Sequence, residues 1–70
     1  MKVITQIETA RGKVVYELFS ETTESNVRYG IKVRSDLFGE TEEAVVKDIT
    51  SELDFARKLL FMLADNLVLP

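Results

Sequence analysis

The chain has 70 residues, 46% hydrophobic and 30% charged, with 3 Gly, 1 Pro, no Cys, no His and a net charge of -3. That length fits one domain spanning residues 1–70, and the apolar fraction is that of a folded chain rather than a disordered tail. The lack of cysteine excludes a disulfide framework and thiolate metal sites, and the lack of histidine excludes Ser-His and Cys-His nucleophile pairs and most catalytic zinc sites.

Charge divides unevenly along the chain. Residues 1–34 hold six Lys/Arg against four Asp/Glu (+2), and residues 35–70 hold three against eight (-5). An acidic second half opposes the convergent basic surface that nucleic-acid binding by counterion release requires. The longest apolar run, residues 59–64, is six residues long, against the roughly 20 needed to span a bilayer. The opening Met1-Lys2-Val3-Ile4-Thr5-Gln6 has neither the apolar stretch nor the small-residue cleavage site of a signal peptide. The expectation is a soluble, cytoplasmic protein without membrane contact.

In chain order, Val3, Thr5, Ile7 and Thr9 alternate with polar neighbours as a first strand. Ala10-Arg11-Gly12-Lys13 follows as a tight hairpin, with Gly12 supplying a positive φ; it sets Ala10 against Lys13, Ile7 against Tyr16 and Ile4 against Phe19. Val14, Tyr16 and Leu18 form the dry face of a second strand, and the polar segment 21–26 reads as a turn. Val27, Tyr29, Ile31 and Val33 form the dry face of a third strand, whose wet face carries Arg28, Gly30, Lys32 and Arg34. Sharing one dry face requires even positions of the second strand to meet odd positions of the third. One such register puts Tyr16 opposite Tyr29 and Glu17 opposite Arg28; a shift by two residues is also allowed.

Residues 35–42 read as a connection hinged at Gly39, and residues 43–49 as a short fourth strand in which Val45 and Val46 cannot both face one core. Ser51, with Asp54 three residues later, resembles a capping box. From residue 52 to about 67, Ala56, Leu59, Leu60, Leu63 and Leu67 line one helical stripe, flanked by Phe55 and Met62, with Asp54, Arg57, Lys58 and Asp65 opposite. The fold class that follows is α+β, an antiparallel four-stranded meander sheet with one C-terminal helix packed on one face.

Chemistry-bearing patterns are few. The acids Asp36, Glu40, Glu42 and Glu43 lack the calcium-loop spacing and read as a solvated acidic loop. Ser20, Ser25, Ser35 and Ser51 have no histidine to activate them, and Gly12, Gly30 and Gly39 stand too far apart for a phosphate loop. The expectation is therefore no enzyme, no cofactor and no metal. A single-stranded nucleic-acid-binding sheet using Arg28, Lys32 and Arg34 is the alternative; with Tyr16 and Tyr29 on the dry face, only Phe19 remains for stacking. A protein-interaction or self-associating module is the leading expectation. Ile4, Val15 and Phe19 fall on the sheet face away from the helix, and Phe61 falls on the helix's polar side. Large apolar patches on small monomers mark interfaces, although strand twist and the 35–42 connection could equally cover these residues. Gly30 marks either a bulge or the close approach of a neighbouring side chain.

The elements Tyr29-Gly30-Ile31, then Ala44, Val46 and Asp48-Ile49-Thr50-Ser51, then the apolar helix closing on Val68-Leu69-Pro70, resemble an uncharacterised family of short proteins from clostridia-like Gram-positive bacteria, a domain of unknown function. The likeness runs from about Tyr16 to Pro70. It implies a soluble bacterial protein and carries no functional residues with it.

Overall fold

The computed structural model describes residues 2–9, 11–24, 26–37 and 39–70, with only the backbone of Lys2 and Val3. Four strands, β1 (Lys2–Thr9), β2 (Gly12–Thr23), β3 (Asn26–Leu37) and β4 (Glu40–Thr50), are followed by one helix, α1 (Leu53–Asp65). The strands pair antiparallel in the order β1-β2-β3-β4. This is the expected meander with a C-terminal helix on one face.

The second and third connections are tighter than the sequence suggested, while the first keeps its expected two-residue length and lies one residue earlier. Thr9 pairs with Gly12, Thr23 with Asn26, and Leu37 with Glu40, so each turn is two residues long. Positive φ at Glu24 (50°) and Gly39 (77°) meets the demand of such short loops. The expected 35–42 connection is instead the end of β3, a turn and the start of β4, and the expected acidic loop is two paired strands. Extension is stabilised there because each added residue gains a ladder partner while its charged side chain stays in water. Ala10, Ser25 and Phe38 lie outside the described residues.

The position of the first turn and the shortness of the second also move the registers. Tyr16 pairs with Val33 rather than Tyr29, and Glu17 with Lys32 rather than Arg28. In the first hairpin Ile7 pairs with Val14 rather than Tyr16, Ile4 with Glu17 rather than Phe19, and Lys13 with Glu8. Parity is preserved in every case, so each side chain keeps its expected face. Gly12, expected within the turn, is the first residue of β2; its φ of 140° and the Asp36 backbone lying where a Cβ would go restrict that place to glycine.

The core is one layer between sheet and helix. Val14, Tyr16 and Leu18 of β2, Ile31 and Val33 of β3, and Ala56, Leu60 and Ala64 of α1 are buried, with Ile7, Tyr29, Leu37, Ile49, Leu53, Leu59 and Leu63 packed around them. Lengths explain what is left out. Twelve-residue strands span about 40 Å at ~3.3 Å per residue, matching the molecule's long dimension of 43 Å. The thirteen-residue helix spans only about 20 Å. Beyond it, the ends of β2 and β3 continue as a two-stranded arm that, among the described residues, has no β1 or β4 partner. Val27, expected on the dry face, sits on this arm and is 40% exposed.

The helix is shorter than its apolar stripe. Glu52 is the N-cap and makes no side-chain cap bond; in place of the expected Ser51 cap, the Thr50 hydroxyl accepts the Glu52 N–H at 3.0 Å. At the other end Leu67 takes a φ of 49°, its N–H donating to Ala64 O at 3.1 Å while Val68 N–H donates to Leu63 O at 3.0 Å. This paired closure ends the helix at Asp65 and removes Leu67 from the stripe; Ala64 takes the last buried position. The tail is then tied back into the core, where the Tyr16 hydroxyl donates to Val68 O at 2.9 Å.

Candidate functional site

The sheet's outer face, away from α1, is built from the odd positions of β2, the even positions of β1 and β3, and the odd positions of β4. Ile4 is 56% exposed there, while Val15 and Phe19 are half-buried. The register sets Ile4 directly opposite Glu17, so Val15 and Phe19 are its diagonal neighbours on either side. Phe19 has a local role: it pairs with Gly30, and its ring occupies the place of the missing Cβ. Phe61, 46% exposed, lies on the outward side of α1, a sheet and a helix away from the other three. The four residues therefore do not form one patch.

Charges on the outer face interleave. Lys32 lies between Glu17 and Val45, and Arg34 between Val15 and Glu43, along the cross-strand rows. Arg28 is engaged by Asp48, through its Nε to the carboxylate and its NH2 group to the backbone oxygen at 3.4 Å. Lys47 stands 3.9 Å from Glu21, which is itself the cross-strand partner of Arg28. This alternating cluster straps the base of the arm to β4. It sits where β4 takes four residues from Val46 to Thr50 while β3 takes two from Ile31 to Tyr29, with Asp48 at φ 57°. Gly30 thus marks both a bulge and a close side-chain approach.

The other face holds a concavity that sequence reasoning missed. α1 packs across all four strands, and an apolar groove of about 350 Å³ opens between it and β4. Ile31 and Val33 form its floor, Ala44 and Val46 the β4 wall, Leu59 and Leu63 the helix wall, and the tail Val68-Leu69-Pro70 closes one end. Val46 is 57% and Leu69 49% exposed, so this surface is apolar and open to solvent. The signal in the sequence was the adjacent pair Val45-Val46, which breaks strand alternation. It resolves as one valine on each face, neither buried: Val46 pairs with Ile31 on the helix side, and Val45 with Lys32 on the outer side, 43% exposed.

Among the described residues no three acidic groups gather as a metal site. The acids of 36–43 are spread along paired strands, Asp36 across from Thr41 and Glu43 across from Arg34. Tyr16, whose burial pushes its phenol pKa above the ordinary 10.0, is a core residue bonded to the tail. No described helix is long and apolar enough to cross a membrane.

No curated protein and no solved structure matches this chain. A family match does cover it, over residues 1–70, beyond the portion from Tyr16 onward that suggested the likeness. The chain belongs to the Family of unknown function (DUF6514).

Proposed function

We propose that this chain is a small, non-catalytic protein-interaction module that binds through the apolar groove between α1 and β4. The observation that carries this reading is the solvent-open wall of Val46 and Leu69 over a floor of Ile31 and Val33, beside a strand edge with no described partner. Exposed apolar surface of this kind on a small domain is retained where a partner covers it. The absence of His and Cys from the sequence leaves no conventional nucleophile pair to favour catalysis instead. Localisation in the cytoplasm and a bacterial source remain part of the proposal, resting on the composition and the likeness described above.

An apolar fluorescent probe, anilinonaphthalene sulfonate, titrated against isotopically labelled protein tests the site. Signal changes should concentrate on Ile31, Val46, Leu59 and Leu63. Changes confined to Ile4, Val15 and Phe19 would move the interaction surface to the outer face, and no response would remove the groove as a binding site. The nucleic-acid alternative rests on Lys32 and Arg34, since Arg28 is held by Asp48. Salt-sensitive binding of single-stranded RNA that Arg34→Ala weakens would support that alternative instead.

A further inference from the structure

Building on the interaction reading, we infer that the partner is a second copy of this chain, joined along β4 into a continuous eight-stranded sheet. The argument starts from two adjacent valines. Val45 and Val46 point to opposite faces of an edge strand and are 43% and 57% exposed. A partner resting on either face would cover one of them. A strand added to the edge supplies neighbours on both faces at once and covers both. The opposite edge poses no such demand: on β1, Ile7 is already packed against the core and Ile4 is exposed on one face only.

The sequence around the valines is self-complementary. Read antiparallel about a two-fold axis at Val45, the segment Glu43-Ala44-Val45-Val46-Lys47 sets Val45 opposite the partner's Val45 and Ala44 opposite the partner's Val46. Glu43 then meets the partner's Lys47, and Lys47 the partner's Glu43, so each dimer holds that opposite-charge pair twice. The register is limited on one side by the distortion at Asp48, with its φ of 57°, which turns the edge away after Lys47. Directly opposed residues in an antiparallel pair share a face. The two helices therefore lie on the same side, and the two grooves adjoin along their β4 walls, Ala44 and Val46 of each copy. This extension matters for size. A standard interface takes about 800 Å² from each partner, roughly a sixth of the chain's 4853 Å², more than a five-residue edge supplies without the groove walls Leu59 and Leu63.

The test is solution mass by light scattering and sedimentation of the full chain over a wide concentration range, with circular dichroism confirming that each variant is folded. Wild type should approach the mass of a dimer. Glu43→Lys and Lys47→Glu should each raise the dissociation constant about tenfold, because each creates two like-charge contacts. An equimolar mixture of the two variants should recover wild-type affinity, since every such contact in the mixed dimer again joins opposite charges, and Ile4→Lys should leave the mass unchanged. A monomer at all concentrations that still binds the apolar probe in the groove would overturn the self-pairing and leave the interaction reading standing. A dimer insensitive to both charge variants, or one abolished by Ile4→Lys, would overturn β4 as the interface. A monomer that also ignores the probe would end both readings.

Discussion

Removing one oxygen atom should measure how firmly the tail is held to the core. The Tyr16 hydroxyl, on a side chain with no solvent exposure, donates to the Val68 carbonyl at 2.9 Å. Tyr16→Phe keeps the ring, creates almost no cavity and deletes that bond. A hydrogen bond of this kind contributes about 0.5–1.5 kcal/mol net. Val68 is 40% exposed, so its released carbonyl can turn to water, which places the expected loss near the middle of that range, about 1 kcal/mol. In a domain of this size that lowers Tm by roughly 4–8 °C. Against a total stability of roughly 3.5–10 kcal/mol by per-residue scaling, the change is easily read by urea and thermal unfolding. Hydrogen exchange supplies the spatial check: amides of residues 67–69 should lose protection before those of β2 and β3. A second readout uses pH. Burial raises the Tyr16 pKa above 10.0, so the unfolded chain gives up this proton first. The contribution of the neutral phenol is complete below pH 10 and is lost as pH rises through the folded-state value. Wild type and Tyr16→Phe should therefore converge in stability under alkaline conditions. An unchanged Tm in Tyr16→Phe, or a stability difference that persists undiminished at high pH, would refute the tie between phenol and tail.

Two further substitutions probe the backbone. Gly30→Ala places a methyl group against the Phe19 ring and 2.7 Å from the Val46 carbonyl oxygen, and should destabilise by about 1–3 kcal/mol in urea unfolding. Shortening the ring in a Phe19→Leu background should recover only part of that loss, because the backbone oxygen stays in place. Leu67→Gly removes a side chain from a left-handed position at φ 49°. Relief of ~1–2 kcal/mol less the added unfolded-state entropy should leave a gain of roughly 0.5–1 kcal/mol in thermal unfolding. A loss would mean that the leucine side chain packs more tightly than its 41% exposure indicates.

Much of the fold can be read from local pattern. Val14, Tyr16 and Leu18 announce a strand face, and Ala56, Leu59, Leu60 and Leu63 a helix face, because side-chain direction follows backbone period. All of them lie where that pattern put them. The candidate site was legible only in part. Ile4, Val15, Phe19 and Phe61 were recognisable as apolar side chains off the core, yet the structure separates Phe61 from the others and gives Phe19 the task of covering Gly30. The groove stayed hidden because its floor and helix wall belong to residues that also read as core, such as Ile31, Leu59 and Leu63. Whether a core-patterned residue is covered depends on where the helix lies across the sheet.

Sequence alone therefore determined the element types, the order of the elements and the face of nearly every strand side chain, since all three follow from spacing along the backbone. Tertiary structure decided the registers, the true strand lengths and the end of the helix. Those depend on where each two-residue turn falls, on ladder partners contributed from far along the chain, and on the left-handed closure at Leu67. It also decided which apolar residues remain bare. A helix half as long as the strands beneath it cannot cover every residue that faces it.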